Sequence, residues 1–269
     1  MRILVILMFL FLHCNYSVGD DSFPFRSTFS DVPIIGLEEL KENYDLVTII
    51  DVRSVQECNV IKINKAHCLP WSNLGFNEYL EEYRSKNAKK PLVMYCNGHT
   101  CKKSYRAVRL AMKLGFDNVF SFDAGIFDWA KKYPDLTTLL KETPMDVNDL
   151  ISKDRLEAKF IDFQHLLKIL EDDSKVILVD IREQRQRKES HITLESLKFR
   201  NISFKNMVQN VITVKKFKDR TIVIVDAVGT QVKWLQYYFE QYKYNNYFFL
   251  RNGAANEELI HHLTVNNQS

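Results

Sequence analysis

Glycine and proline are scarce in this chain, and their scarcity limits its architecture. The 269 residues include 8 glycines and 6 prolines, which excludes a long flexible linker between domains. A strong charge of one sign is also lacking, because the formal net charge is only +3. No basic tract interleaved with aromatic residues occurs, so we expect no nucleic-acid partner. The hydrophobic content of 46% is enough to bury two cores of ordinary domain size.

Long hydrophobic runs are also missing, apart from one at the start of the chain. Residues 3–12 are uniformly apolar, but such a run is too short to span a bilayer, so we expect a protein that is not membrane-spanning. The run follows Arg2, and small residues stand at Ser17 and Gly19. This pattern is typical of a secretory signal peptide. We therefore expect residues 1–19 to be cleaved off and the protein to be periplasmic or secreted.

Two alternatives remain for this segment. The apolar run could form a buried core helix, although the polar residues Asp20 and Asp21 follow it closely. Cys14 could carry a lipid, although His13 stands where a lipoprotein signal needs a small residue. Both alternatives fit the residues less well than a cleaved signal peptide does.

Cysteine is scarce as well, and removal of the signal peptide leaves four cysteines: Cys58, Cys68, Cys96 and Cys101. An even set in an exported protein suggests disulfides, and four cysteines allow three complete pairings. A bond between Cys58 and Cys68 leaves Cys96 free to react. A bond between Cys96 and Cys101 instead holds Cys96 as a disulfide until a reductant opens it. Both possibilities stay open at the level of the sequence.

Cys96 is the most informative of these residues. It ends an apolar run, residues 91–95, and opens a tight loop at residues 97–101 that precedes a helical pattern. In an α/β sheet this position brings a thiol to the carboxyl edge, beside loop amides and a helix N-terminus that favour the thiolate. We therefore expect Cys96 to be a nucleophile, anionic and reachable from solvent. A buried structural cysteine is the alternative.

Further features stand around Cys96 in a fixed order. They are an apolar run at 46–50, Asp51-Val52-Arg53, the stretch 57–70, an amphipathic helix at 104–114, a strand at 119–122 and the closing segment 123–129. In this order the chain resembles the rhodanese (sulfurtransferase) family. The resemblance implies α/β domains with a parallel sheet flanked by helices, and no cofactor.

The resemblance also implies a thiosulfate sulfurtransferase-like enzyme. In such an enzyme Cys96 is the catalytic residue: it attacks a sulfane sulfur donor such as thiosulfate and holds the sulfur as a persulfide. The sulfur then passes to a thiol or a similar acceptor. The expected partners are thus a small sulfur-containing anion and a thiol acceptor protein.

The residues after Cys96 are the candidates for binding the donor: Asn97, Gly98, His99, Thr100, Cys101 and Lys102. Lys102 could attract an anionic donor by its charge. Cys101 takes the position at which many sulfurtransferases carry an arginine. We interpret it as a candidate resolving thiol, which attacks the Cys96 persulfide, releases the outer sulfur and forms a disulfide.

A second copy of the pattern follows the first. The Asp-x-Arg sequence of residues 51–53 recurs at 180–182, and Asp226 takes the place of Cys96. The separation from the first aspartate to this place is 45 residues in the first copy and 46 in the second. An aspartate cannot carry a sulfane sulfur, so we expect the second copy to be degenerate and catalytically silent.

The sequence therefore predicts two tandem rhodanese-like domains. We expect the domain with the catalytic cysteine over residues 30–142 and the degenerate domain over residues 147–263. Between them, near Thr143, apolar periodicity lapses and a proline interrupts the chain. Residues 156–170 read as one helix that leads into the second copy.

Other functions fit these residues less well. Related phosphatases share the fold and carry an arginine where Lys102 stands, and lysine lacks the planar fork that grips phosphate. Cys96, Cys101 and His99 fall short of a closed zinc site, so we expect no metal. Two further classes stay open: a thiol-disulfide or sulfur-carrier protein that uses Cys96 and Cys101, and a binding module in which neither copy reacts.

Overall fold

The structure, a computed structural model, describes residues 22–87, 90–173, 175–190 and 192–266, so the expected signal peptide at 1–19 lies outside the described residues. The chain divides between Thr137 and Thr138 into two compact units. Each unit has a parallel sheet flanked by helices, which confirms the expected fold class. Within the described ranges, no helix is both long and apolar enough to cross a membrane.

The first unit alternates strands and helices. Its strands are β1 (Thr48–Asp51), β2 (Ile61–Ile63), β3 (His67–Cys68), β4 (Leu92–Tyr95) and β5 (Val119–Phe122), and β6 (Thr137–Leu139) begins where the unit ends. Its helices are α1 (Leu37–Glu42), α2 (Val55–Val60), α3 (Phe76–Asn87), α4 (Lys103–Lys113) and α5 (Gly125–Lys132), followed by a 3-10 turn, Pro134–Leu136. Four of the strands form a parallel sheet in the order β3-β1-β4-β5.

The central strands of this sheet place Cys96 at its carboxyl edge. All four residues of β1 and of β4 are buried, as in a sheet that is covered on both faces. The register pairs Asp51 with Tyr95, so both strands end at the same level. Cys96 is the next residue after Tyr95 and therefore opens the loop at that edge.

Helix α4, which follows that loop, is amphipathic as predicted. Its inner face buries Ala107, Val108 and Ala111 completely. The helix stops at Gly115, whose φ of 83° lies in the left-handed region. The amide of Phe116 then donates to the carbonyl of Ala111 at 3.0 Å, which is the hydrogen bond of a Schellman cap.

The second unit repeats this organisation. Its strands are β7 (Phe160–Ile161), β8 (Ile177–Asp180), β9 (Arg200–Asn201), β10 (Ile222–Val225) and β11 (Tyr247–Leu250). Its helices are α6 (Lys153–Glu157), α7 (Phe163–Asp172), α8 (Gln184–Ser190), α9 (Phe204–Met207), α10 (Val232–Gln241) and α11 (Glu257–Asn266). Short turns of 3-10 helix occur at Val147–Asp149, Glu195–Leu197 and Gly253–Ala255, and a π turn at Val208–Ile212.

The register of the second sheet confirms the internal repeat. Its strands are parallel, in the order β7-β11-β10-β8-β9. Asp180 at the end of β8 pairs with Val225 at the end of β10. Asp226 follows Val225 directly, so it holds the position in the second unit that Cys96 holds in the first.

The prediction of one helix over residues 156–170 is wrong. Helix α6 ends at Glu157, and Phe160–Ile161 forms the edge strand β7, paired with β11. Asp162 then starts α7, because its carboxylate accepts the amide of His165 at 2.7 Å. A strand of two residues has no periodicity of its own, so only its pairing reveals it.

The Asp-x-Arg sequence has the same structural role in both units. Arg53 is buried and donates to both carboxylate oxygens of Asp51, with Nε 2.9 Å from Oδ1. It also donates to the carbonyl of Ile61. Arg182 forms the same buried pair with Asp180, with Nε 3.0 Å from Oδ1. Each pair ties the end of a central strand to the segment that follows it.

We expect Arg53→Met to destabilise the first unit by about 3–5 kcal/mol, because it leaves the Asp51 carboxylate buried without its partner. Arg182→Met should do the same in the second unit. Hydrogen exchange measured by mass spectrometry checks both, since protection should fall in the unit that carries the change. Arg185→Met, at an exposed arginine, is the control. Equal protection in Arg53→Met and this control would contradict the assigned role.

Candidate functional site

Cys96 lies at the predicted place, but its sulfur is not a free thiol. It is bonded to Cys101, with the Cα atoms 6.1 Å apart. Cys96 is 1% exposed and packs within the apolar core of the first unit, whereas Cys101 is half-buried. The expectation of a thiolate that solvent can reach is therefore wrong for this structure. The sulfur bonds to its neighbour in the loop and lies beneath the surface.

The loop between the two cysteines is a tight turn. The amide of Cys101 donates to the carbonyl of Gly98 at 2.8 Å, which places His99 and Thr100 at the corner of a turn. Thr100 is exposed, and the other residues of the turn are half-buried. We call residues 96–102 the Cys96 loop. Its predicted members are thus brought together at the carboxyl edge of the sheet.

Gly125, at the start of α5, packs directly against this loop. A Cβ atom at Gly125 would lie 2.4 Å from the nitrogen of Gly98, and Gly125 has a φ of 69°. Neither the contact nor the backbone angle suits a larger residue. The amide of Ile126 then donates to the carbonyl of Cys96 at 3.0 Å. Helix α5 therefore begins directly against the Cys96 loop.

Asn97 connects the loop to the buried arginine. Its side-chain oxygen accepts from Arg53 at 3.2 Å, and its side-chain nitrogen donates to Glu57 at 2.8 Å. Glu57 also accepts from the amide and the hydroxyl of Ser54. Burial alone raises the pKa of such a carboxyl, but hydrogen bonds from Asn97 and Ser54 and the charge of Arg53 lower the pKa of Glu57. An ionised Glu57 thus holds Asn97 in place.

His99 is held by two residues from outside the loop. Its Nε2 lies 2.7 Å from a carboxylate oxygen of Asp128 on α5. The ring of Phe23 stacks on the imidazole, with 4.1 Å between the centroids. About a third of each polar side chain is exposed, 33% for His99 and 38% for Asp128. The imidazole therefore has a defined orientation at the surface of the loop.

The segment around Phe23 is anchored beside the loop. The guanidinium of Arg26 lies 3.8 Å from the centre of the Phe23 ring and pairs with Asp123 at 2.8 Å. The Lys102 amine lies 4.5 Å from the ring of Phe25. Lys102 itself is exposed, so the predicted positive charge lies at the surface beside the loop.

A second disulfide joins Cys58 on α2 to Cys68 on β3, with the Cα atoms 6.1 Å apart. Cys58 is buried and Cys68 is exposed. Glu57 precedes Cys58 in the chain, so this bond restrains the helix that carries the partner of Asn97. The four cysteines thus form two short-range pairs in the first unit.

The equivalent loop of the second unit holds a carboxylate. Asp226 is buried, and one of its oxygens accepts from the amides of Gln231 at 2.5 Å and Val232 at 3.2 Å. The other oxygen accepts from the amide of Gly229. Burial raises the pKa of Asp226, and these amides act in the opposite direction. We call residues 226–231 the Asp226 loop.

The backbone around the two loops matches. The amide of Ala254 donates to the carbonyl of Asp226 at 2.8 Å, the counterpart of the bond from Ile126 to Cys96. The glycine before each donor has a positive φ: Gly125 (69°) and Gly253 (57°). The two units therefore share this hydrogen bond and this glycine beside the loop.

Sequence reasoning missed the partners of the loop side chains. Asp128 and Phe23 contact His99 from distant parts of the chain, and no spacing rule links them to it. Glu57 did carry a signal, because Ser54-x-x-Glu57 is a capping box and the structure forms it at the start of α2.

The chemistry available at this site is that of two thiols and an imidazole. Reduction of the disulfide frees Cys96 and Cys101 in the same loop as His99. Such a set can form and break bonds between sulfur atoms. Among the residues that the structure describes, no three His, Cys, Asp or Glu side chains are grouped so that they could hold a metal ion.

Solved structures similar to parts of the chain include three from different organisms. The human single-domain sulfurtransferase TSTD1 is 23% identical, with a TM-score of 0.32 over 38% of this chain and 97% of its own. Thiosulfate sulfurtransferase from Pseudomonas aeruginosa is 16% identical, with a TM-score of 0.36 over 86% of this chain and 45% of its own. Protein hp1203 from Helicobacter pylori 26695 is 20% identical, with a TM-score of 0.33 over 39% of this chain and 88% of its own.

Family membership rests on the sequence match to a family model. A search of the curated proteins finds no match. The model for the Rhodanese-like domain matches residues 36–132 and again residues 162–256, together well over half of the chain. The first match covers the four-stranded sheet, the second covers the other parallel sheet except its edge strand β7, and Thr143 lies between the two matches. The chain therefore belongs to the rhodanese-like domain family, which includes sulfurtransferases, and contains that domain twice.

Proposed function

We propose that this protein is an exported sulfurtransferase that takes sulfane sulfur from a small anion such as thiosulfate as a persulfide on Cys96. The reduced Cys96 thiolate attacks the outer sulfur of thiosulfate. The sulfur–sulfur bond of the donor breaks, sulfite leaves with the electron pair, and the outer sulfur stays on Cys96. A thiol or a similar acceptor then takes that sulfur.

The comparison of the two loops carries this proposal. In the second unit, backbone amides of the Asp226 loop surround a carboxylate. The two loops share the backbone hydrogen bond to the carbonyl of their first residue, so we infer that the amides of the reduced Cys96 loop suit a negative charge at the equivalent position. Cys96 stands there in place of the carboxylate, so that charge belongs to its thiolate, to its persulfide or to the bound donor.

The disulfide between Cys96 and Cys101 supports Cys101 as the resolving thiol. Attack of Cys101 on the Sγ of the Cys96 persulfide forms this disulfide and expels the outer sulfur as hydrosulfide. The electrons balance without an external oxidant. A dithiol reductant then supplies two electrons and restores both thiols. The oxidised Cys96 loop is the state that follows hydrosulfide release.

A thiol-disulfide or sulfur-carrier role is the second candidate, and the same disulfide favours it. In that role Cys96 and Cys101 exchange electrons or sulfur with the thiols of a partner protein. Thiosulfate is not consumed, so production of sulfite separates the two candidates.

Export is supported by two independent features of the chain. Disulfides persist in oxidising compartments, and the first unit contains two of them. The pattern over residues 1–19 is that of a signal peptide.

Serine variants of the two loop cysteines test the sulfur transfer. We expect the pre-reduced Cys101→Ser variant to gain one sulfur atom from thiosulfate and to keep it until cyanide or a thiol is added, because the resolving thiol is missing. Cys96→Ser should gain none and release no sulfite. Intact mass and a sulfite assay measure both. The double variant Cys58→Ser with Cys68→Ser is the control and should still gain and release sulfur, because neither cysteine lies in the Cys96 loop. Thiol exchange with a partner protein, without sulfite, would favour the carrier role.

The pH dependence of stability tests the buried carboxylate of the second unit. Because burial raises the pKa of Asp226, the folded chain keeps this proton above the ordinary value of 3.8 at which the unfolded chain loses it. The stability that this bound proton contributes is fully present below pH 3.8, and it is lost as the pH rises through the raised pKa of the folded chain. Asp226→Asn lacks the titration, so the free energy of unfolding of the wild type relative to this variant should fall as pH rises. A difference that is constant with pH would contradict the assignment.

The signal peptide is testable by the N-terminal sequence of protein produced in an export-competent host. We expect the mature chain to begin at Asp20, because the peptidase cleaves after the small residue Gly19. Gly19→Arg should block cleavage, whereas Asp21→Asn should not. A mature wild-type chain that still begins at Met1 would exclude the cleaved signal.

A further inference from the structure

We propose that His99 is the proton-transfer residue for hydrosulfide release at the Cys96 loop and that Asp128 is its positioning residue. This proposal rests on the proposed function, because it concerns the step in which Cys101 resolves the persulfide on Cys96. The resemblance to the rhodanese family assigns no such role to either residue.

The placement of His99 is the first argument. The residue lies inside the ring that the disulfide closes, since it stands between Cys96 and Cys101 at the corner of the turn. Asp128 reaches it from α5, which begins against the same loop, and lies 2.7 Å from its Nε2. The aromatic ring of Phe23 stacks on the imidazole of His99. With Nε2 bonded to Asp128, Nδ1 is the ring nitrogen through which protons would move to and from the sulfur atoms of the loop.

The chemistry of the leaving group is the second argument. The persulfide on Cys96 is anionic, and its outer sulfur leaves well only as hydrosulfide, which requires a proton. Cys101 must lose a proton to become the attacking thiolate. His99 can accept the proton from Cys101 and deliver it to the outer sulfur as the new sulfur–sulfur bond forms and the old one breaks. The proton and the electrons then balance within the loop.

The charges around His99 fit this transfer. Asp128 on α5 stabilises the imidazolium that exists between the two proton steps. On the N-terminal segment, Arg26 lies over the far side of Phe23 and pairs with Asp123. Lys102 extends from the loop towards Phe25.

The test follows the two products of one turnover separately. Pre-reduced His99→Asn protein is mixed with thiosulfate, and sulfite and hydrosulfide are measured over time. Because His99 is also a candidate for binding the donor, sulfite release is the internal reference, and the hydrosulfide released per sulfite is the readout. Hydrosulfide release should slow roughly 100-fold, the usual range for loss of a general acid–base group, while the persulfide accumulates in the intact mass. The pH dependence of hydrosulfide release should flatten in the same variant.

Two further variants separate proton transfer from loop damage. Asp128→Asn keeps a hydrogen-bonding side chain but removes the charge, and we expect it to slow hydrosulfide release without changing sulfite release. His99→Asn in a Cys101→Ser background measures how much the substitution slows persulfide formation itself, and we expect hydrosulfide release to slow by much more than that. His165→Asn, at an exposed histidine of the second unit, is the matched control.

The outcomes distinguish this proposal from the proposed function. Wild-type protein that releases no sulfite from thiosulfate would overturn the proposed function itself. If sulfite appears and both His99→Asn and Asp128→Asn release hydrosulfide at the wild-type rate, the sulfur transfer stands and the role of His99 is wrong. If hydrosulfide release slows no more than persulfide formation does in the Cys101→Ser background, the role is also wrong, because His99 would then act on the loop or the donor and not on the proton.

Discussion

The buried pair of Arg53 and Asp51 is the interaction on which the geometry of the site depends. A guanidinium without solvent contact needs a partner for its charge and its donors, and Arg53 finds them in three places: Asp51 at the end of β1, the carbonyl of Ile61 and the side chain of Asn97. Asn97 is the residue next to Cys96, and Glu57 binds its other end. The loop is therefore held through Asn97 by a network of charges as well as through the disulfide between Cys96 and Cys101.

The second unit shows how the same frame is kept without a reactive residue. Arg182 pairs with Asp180 as Arg53 pairs with Asp51, but its further side-chain partner is Ser190. There Asp226 itself holds the loop, because its carboxylate accepts hydrogen bonds from the amides of Gly229, Gln231 and Val232. A carboxylate of the chain itself thus does what a thiolate, persulfide or donor anion does in the proposed reaction. The second unit thus has loop amides that are hydrogen-bonded to a side chain which cannot bind sulfur.

The parts of this structure that could be predicted from the sequence are those set by local pattern. Apolar runs ending in Asp51 and Cys96, and their repetition at Asp180 and Asp226, are sufficient to derive two parallel sheets and the edge at which the loops lie. The parts that could not be predicted depend on pairing between distant residues. Strand β7 exists because β11 lies beside it. His99 has an orientation because Asp128 and Phe23 supply it. The burial of Cys96 is of the same kind, since a cysteine that follows a strand can face either solvent or core, and the packing of the whole unit decides which.

Burial also determines which sulfur of the disulfide meets a reductant first. Cys96 is 1% exposed and Cys101 is half-buried, so a thiol that approaches from solvent reaches Cys101 before Cys96. In thiol-disulfide exchange the sulfur that is not attacked becomes the leaving thiolate, and exchange is faster when that thiolate is stabilised. The leaving group here is Cys96, which follows β4 and precedes α4 at the carboxyl edge of the sheet. Reduction at the accessible sulfur therefore yields the buried one in its anionic form. The burial that contradicts an exposed thiolate in the oxidised loop thus directs a thiol from solvent to Cys101 and makes Cys96 the leaving thiolate.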